Sequence, residues 1–139
     1  MLRFDVDADL IAAGQPSASD LQGLASEGVK TLVNLRKEGE ANLPADWGEQ
    51  VQAAGMQYVS IPIAGPEDIN VDNARILAQA IGDGPGRVAV HCGSSNRVGA
   101  LLALKVHSVD NMTPSDALQY GKKAGLTELE GRVKSLLGL

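Results

Sequence analysis

Arg87-Val88-Ala89-Val90-His91-Cys92-Gly93-Ser94-Ser95-Asn96-Arg97-Val98-Gly99 is the stretch that decides how this chain is read. Arg87 to His91 is short and apolar through its middle, the mark of a central buried strand. Gly93 to Asn96 is small and polar. From Asn96 or Arg97 onward, Val98, Leu101, Leu102, Lys105 and Val106 recur at a spacing that predicts a helix buried on most sides. A cysteine therefore stands at the C-terminal end of a strand, ahead of a flexible loop and a helix start. In open α/β sheets ligands bind outside the carboxyl ends of the strands. The backbone N–H groups of such a loop, with the positive end of the helix, form a cradle for an oxyanion. Arg97 falls where a bidentate fork can close that cradle. The same field favours a thiolate at Cys92, and a thiolate beside the central atom of a bound anion is an activated nucleophile. The competing reading is a buried structural cysteine before an ordinary strand-to-helix turn. The strand-end position, the Gly and Ser residues that follow and the placement of Arg97 weigh against it.

Working outward, strand-like and helix-like patterns alternate. Leu10 to Ala12 reads as a short strand ending at Gly14. Ser17-Ala18-Ser19-Asp20 is a capping box opening a helix with Leu21, Leu24 and Ala25 on one face, stopped by Gly28. Val29 to Leu35 is a β-branched and aliphatic strand. Asp46 to Ala54 predicts a helix with a Gly55 stop, and Met56 to Ile63 alternates as a strand. Val71 to Ile81 has helical period, with Ile76, Leu77 and Ala80 spaced for one face. Thr113-Pro114-Ser115-Asp116 starts another helix, and Thr127 to Glu130 repeats the capping box before a last one. Strands separated by helices imply an α/β fold, a central, mostly parallel sheet flanked by helices.

The 139 residues predict a single domain spanning 1–139. With 12 Lys and Arg against 17 Asp and Glu, the net charge of −5 argues against nucleic acid or an anionic membrane surface as partner, both of which want clustered cations. Cys92 is the one cysteine, so an internal disulfide or a multi-cysteine metal site is excluded, and no cofactor or metal is expected. No apolar run approaches a membrane span, and the N-terminus lacks a signal-peptide apolar region. The expectation is a cytoplasmic protein as the chain stands, or a periplasmic one if a leader has been removed.

These motifs resemble the cysteine-dependent (protein tyrosine and dual-specificity) phosphatase superfamily. Among its members the chain is most similar to the small bacterial phosphatase-like domains that also occur joined to metallo-β-lactamase-type hydrolase domains. The resemblance runs through nearly the whole chain. Ala13 to Ser17 looks like that family's opening motif, Gly28 to Arg36 like its second strand, Gly55 to Pro62 like the strand before the acid loop, and His91 to Gly99 like its active-site segment. It implies a dual-specificity-phosphatase-like fold and a phosphatase activity on phosphomonoesters. Cys92 would attack phosphorus and form a cysteinyl-phosphate. Gly93, Ser94, Ser95, Asn96 and Arg97 would bind the phosphate, and His91 would support the loop by side-chain hydrogen bonds. Asp68, with Glu67 as substitute, would protonate the leaving group. The partner implied is a phosphorylated protein or small molecule.

Two features depart from the superfamily's pattern. Four residues rather than five separate Cys92 from Arg97, which removes one backbone donor, and Val98 stands where a hydroxyl residue usually follows the arginine. The shorter spacing also occurs in the small bacterial subfamily. A rhodanese-like sulfurtransferase carrying a persulfide on Cys92, or a module that holds phosphate without turnover, are the alternatives. Asn34 and Arg36 end a strand on the Cys92 edge of the sheet. The ordinary reading of Arg36 is an exposed residue after a strand, the other a pocket residue. His107 reads as a bland helix residue, and Tyr58 and Trp47 are the aromatics that could line a substrate pocket.

Overall fold

A computed structural model describes residues 1–139. Five strands form one sheet: β1 (Arg3–Asp7), β2 (Leu10–Ala13), β3 (Val29–Asn34), β4 (Gln57–Ser60) and β5 (Arg87–His91), in the order β1-β2-β5-β3-β4. β1 pairs antiparallel with β2, and every other pairing is parallel. Six helices surround it: α1 (Ala18–Ser26), α2 (Trp47–Ala53), α3 (Val71–Asp83), α4 (Asn96–Ser108), α5 (Pro114–Lys123) and α6 (Glu130–Leu137). The Arg87–His91 strand is central, as its apolar run predicts, and its alternation divides the core. Ala89 packs with α1 and α2 in one cluster, whereas Val88, Val90 and Cys92 join Val98, Leu101, Leu102 and the α5–α6 residues in the other. α4 contributes eight buried residues, from Val98 to Val106, because it lies between the sheet and α5. No helix is long and apolar enough to cross a membrane.

Local signals explain most boundaries. Ser17 accepts from Asp20 N–H while the Asp20 carboxylate accepts from Ser17 N–H, completing the box that starts α1. Thr113 caps α5 with Pro114 at its first position. Four differences from the sequence reading have physical causes. The Arg3–Asp7 strand, absent from the sequence reading, is a hairpin partner of β2; its alternation, Phe4 and Val6 between Arg3, Asp5 and Asp7, is confined to five residues at the chain's start. β4 ends at Ser60, yet Ile61 and Ile63 donate to Asn34 and Leu35 carbonyls at 2.9 Å, so the chain keeps its line past the regular ladder. Ile76 is 51% exposed: the inward stripe of α3 is Ala74 and Leu77, and Ile76 stands one residue, about 100°, away from Leu77. The Thr127–Glu130 box does not form. The N-cap of α6 is Leu129 with no side-chain cap, and the Thr127 and Leu129 N–H groups donate instead to Asn96 Oδ1.

Candidate active site

The loop after β5 is held from three sides. Cys92 N–H donates to Ala13 O and Gln15 N–H to Gly93 O, both at 3.1 Å, with a bridge between Gly14 and Ser94. A Cβ on residue 14 would lie 2.8 Å from Gly93 O, so the strand and the loop approach this closely because residue 14 is glycine. Ser95 turns the loop in a left-handed conformation, φ +68°, and its buried hydroxyl donates to Ala124 O at 2.7 Å. Asn96 Oδ1 accepts the two α6-side amides described above. The first α4 hydrogen bond runs from Gly99 N–H to Ser95 O, and the N–H groups of Gly93, Ser94, Asn96, Arg97 and Val98 donate to no acceptor in the protein. Unpartnered amides at a helix start carry the positive end of its dipole and suit an anion. Cys92 lies beneath them, buried.

Arg97 reaches over this loop from the first turn of α4. Its Nη1 donates to Glu40 Oε2 at 2.8 Å and to Ile63 O at 2.9 Å, and its Nη2 donates to Glu40 Oε1 at 2.9 Å. A guanidinium has five N–H donors. Three are taken, which leaves Nε–H and the second Nη2–H, adjacent on one edge, as a fork for two further oxygens. Arg97 is held above its ordinary pKa by the bond to Glu40 and, against the opposing cost of burial, by Cys92. The same Glu40 carboxylate accepts from Arg36 Nε at 3.1 Å and from Lys37 N–H at 2.6 Å. With these donors, Arg97 first among them, its pKa falls to about 2.

Arg36 is not the exposed strand-end residue of the ordinary reading. It is buried, because Glu40, Gln15 Oε1 and Ala41 O satisfy its guanidinium and Asn34 Oδ1 accepts its backbone N–H. A Cβ on Gly93 would stand 3.7 Å from Arg97 Nη2 and 3.9 Å from Arg36 Nε, so the two cations flank the first loop residue with one carboxylate between them. Neither Glu40 nor the side chain of Gln15 is evident from sequence. The acid four residues after Arg36 is a weak signal, and only the fold brings it to Arg97.

His91 is fully buried on the α2 side of the sheet. Its Nε2 accepts from Trp47 Nε1–H at 3.0 Å, the rings meeting edge-on with centroids 5.7 Å apart, and its Nδ1 lies 3.3 Å from Cys92 O. Burial, with smaller contributions from Arg36 and Arg97, pushes its pKa down to about 4 against the raising effect of the Cys92 carbonyl. Tyr58 and Trp47 share a cavity of about 280 Å³ with Asn34, Arg36, Leu43 and Ser60, so the cavity meets the loop region at Arg36.

Asp68 ends a 3-10 turn, Pro66–Asp68, on the loop between β4 and α3. Its Oδ2 accepts from Ala64 N–H at 2.8 Å, and its carbonyl accepts from Asn73 Nδ2. Arg132 of α6 donates to Pro66 O and Ile69 O and ties that loop down. Neither Asp68 nor Glu67 bonds to Cys92 or Arg97; Glu67 curls back over Gly65. The structure thus brings together Cys92, Gly93, Ser94, Arg97 and His91. It turns the side chains of Ser95 and Asn96 toward α5 and α6, leaving Asn96 to offer its backbone N–H. No group of three or more His, Cys, Asp or Glu side chains is placed to hold a metal ion.

Residues 2–108 match the family described as Beta-lactamase hydrolase-like protein, phosphatase-like domain. The chain is 32% identical over 123 residues to a Beta-lactamase hydrolase-like protein of Agrobacterium fabrum, covering 86% of this chain and 28% of that one. It spans about a quarter of the length of the curated relatives it matches. Among solved structures, a candidate phosphatase of Neisseria meningitidis superposes with a TM-score of 0.79 at 20% identity, covering 95% of this chain and 96% of the other. TpbA of P. aeruginosa, solved as a cysteine-to-serine variant in complex with pTyr, superposes with a TM-score of 0.65 at 19% identity, covering 93% and 78%. The fold is that of these phosphatases.

Proposed function

The chain belongs to the phosphatase-like domain family of the beta-lactamase hydrolase-like proteins, and from that premise we propose that it is a cysteine-dependent phosphatase acting on phosphomonoesters. The observation that carries this reading is the free Nε–Nη2 edge of Arg97 beside unpartnered loop amides and Cys92. Together they offer a phosphoryl group two charge-assisted hydrogen bonds, a ring of backbone donors and a nucleophile.

In the first step the Cys92 thiolate attacks phosphorus, the P–O bond to the leaving group breaks, and its electron pair goes to the leaving oxygen. Asp68 supplies the proton to that oxygen. Arg97 and the amides hold the equatorial oxygens, where charge spreads in the transition state. In the second step water attacks the cysteinyl-phosphate and gives a proton to the Asp68 carboxylate, the S–P bond breaks with its electron pair going to sulfur, the thiolate is restored and inorganic phosphate leaves. Val98 offers no hydroxyl to the departing sulfur, so this second step is the slower one. Glu40 keeps Arg97 in register from the far side of its guanidinium. The substrate class is a phosphorylated protein or small molecule.

The test pairs aryl phosphate hydrolysis with thiosulfate-to-cyanide sulfur transfer, each with Cys92→Ser alongside. Phosphate release that vanishes in the variant while inorganic phosphate still binds is the expected result. Thiocyanate formation with a persulfide on Cys92 replaces this reading with a sulfurtransferase. Phosphate binding with neither activity reduces the domain to a phosphate-holding module.

A further inference from the structure

We propose that Trp47 is a positioning residue that fixes His91 in its Nδ1–H tautomer and thereby aims the Gly93 N–H into the anion loop. The inference rests on reading that loop as an oxyanion cradle. An indole Nε1–H donates and cannot accept. Its partner at 3.0 Å is His91 Nε2, which must therefore present a lone pair. A neutral imidazole with a lone pair on Nε2 carries its hydrogen on Nδ1. That hydrogen faces Cys92 O, 3.3 Å away, so the contact is a donation from the ring to the carbonyl.

The carbonyl of Cys92 and the N–H of Gly93 belong to one trans peptide unit and point in opposite directions. Drawing the carbonyl toward His91, on the α2 side of the sheet, turns the Gly93 N–H toward the opposite side, where Cys92 and α4 lie. Gly93 N–H is one of the loop donors without a protein acceptor. In the other tautomer Nε2–H would oppose the indole N–H and the Nδ1 lone pair would oppose the Cys92 carbonyl, so both contacts become repulsive. The charged groups around His91 are Arg36, from the end of β3, and Arg97, from α4, and both disfavour a second proton on the ring. Trp47, from α2, is the donor to the ring itself. Trp47 lies 44 residues from His91 in sequence and is 3% exposed, so the contact is built by the fold and closed to water.

The experiment uses the whole chain, ¹⁵N-labelled, with long-range ¹H–¹⁵N correlations of the two histidines from pH 5 to 8, in wild type and Trp47→Phe. Phenylalanine keeps a ring in the core and removes the donor. Inorganic phosphate affinity and aryl phosphate kcat/KM are measured on the same samples. His91 is expected neutral and Nδ1–H in wild type. In Trp47→Phe it should lose that single tautomer, phosphate should bind about tenfold more weakly, the scale of one buried hydrogen bond, and the deficit should narrow as pH falls, because an imidazolium again carries a hydrogen on Nδ1. An Nε2–H tautomer in wild type overturns the proposal, as does an unchanged tautomer in the variant, or a changed one with unchanged phosphate affinity.

If Trp47→Phe does not fold, the wild-type tautomer is still read, and His91→Asn is compared with His91→Gln. The asparagine amide reaches the place of Nδ1 and the glutamine amide that of Nε2. The proposal requires tighter phosphate binding in His91→Asn, and equal or reversed affinities refute it. If phosphate binds but no form hydrolyses aryl phosphate, the phosphatase reading fails while the tautomer and affinity readouts still decide on Trp47. If wild type binds no phosphate, the cradle and the proposal fall together.

Discussion

Replacing Glu40 by glutamine keeps the side chain's shape and removes the charge shared by two guanidinium groups. The carboxylate accepts from Arg97 at 2.8 and 2.9 Å, from Arg36 at 3.1 Å and from Lys37 N–H at 2.6 Å. Its pKa falls from 4.5 to about 2. At about 1.4 kcal/mol per unit this corresponds to roughly 3 kcal/mol of stabilisation. The Glu40 side chain is 24% exposed and Arg97 21%, so solvent screening brings the expectation to about 2 kcal/mol, between an exposed pair and a buried one. Because the folded pKa is depressed, this stability is fully present above pH 4.5 and is lost as pH falls toward 2. Urea unfolding of wild type and Glu40→Gln across pH 2 to 7 reads it directly. The two curves should differ by about 2 kcal/mol at pH 7, begin to approach below pH 4.5 and lie within about 0.5 kcal/mol of each other near pH 2, where the wild-type carboxyl is half protonated. A gap that is constant across the range means the loss is steric. A gap below about 0.5 kcal/mol at pH 7 means the carboxylate is a solvated surface group.

The other predictions touch separate parts of the molecule. Gly14→Ala places a methyl group 2.8 Å from Gly93 O, so phosphate affinity should fall at least tenfold, read by calorimetric titration, while α1 keeps its helical signal. Asp68→Asn should depress aryl phosphate kcat/KM by about 10²-fold for poor leaving groups and far less for good ones, the span expected of a general acid; an equal loss across a leaving-group series removes Asp68 from that role. His91, with its pKa lowered to about 4 by burial, favours folding while neutral. That contribution, up to about 3 kcal/mol, is present above pH 6.5 and lost between 6.5 and 4. Thermal melts of wild type and His91→Asn should therefore diverge in slope across that window. Gly99→Ala drives a Cβ into Leu126 N and to 2.6 Å from Gly121 O; separating α4 from the α5–α6 connection should cost about 3 kcal/mol in urea unfolding, the upper range of overpacking.

What was legible in the sequence was local. The Arg87–His91 strand, the small loop and the apolar period of α4 lie within twenty residues of one another, and each signal reports on its own backbone. The Ser17 and Thr113 caps were readable for the same reason. The bond of Trp47 to His91 and that of Glu40 to Arg97 are not legible, because they span 44 and 57 residues and the sequence neighbourhoods say nothing about them. The sequence leaves Arg36 open between an exposed residue and a pocket residue because a lone strand-end arginine carries no sign of the carboxylate, amide and carbonyl that allow its burial. The Thr127 box failed for a related reason. A distant acceptor, Asn96 Oδ1, took the amides that a local cap would have used. Ile76 shows the limit of periodicity alone, since a helical repeat gives the stripe's spacing but not how wide a face the neighbours cover.

The four-residue spacing between Cys92 and Arg97 acquires a physical explanation from these ties. A loop short by one residue has one donor fewer and less freedom to arrange the rest. Here its shape is imposed from outside rather than by the anion. Gly14 and Gln15 hold Gly93 and Ser94 from β2, Ala124 holds the Ser95 hydroxyl, and Asn96 is fastened to the start of α6. The left-handed turn at Ser95, φ +68°, is costly for a residue with a Cβ, and the buried 2.7 Å bond from its hydroxyl offsets that cost. With the backbone fixed in this way, the amides of Gly93, Ser94, Asn96, Arg97 and Val98 are held by the protein's own bonds. Arg97 is likewise set by Glu40 and Ile63. On the proposed reading, a cradle held in this way would lose little conformational freedom when phosphate binds, which would offset the donor that the shorter spacing removes. The shortened loop therefore depends on α5, α6 and the β3–α2 loop for its geometry, and substitutions there should reach the anion site without touching it.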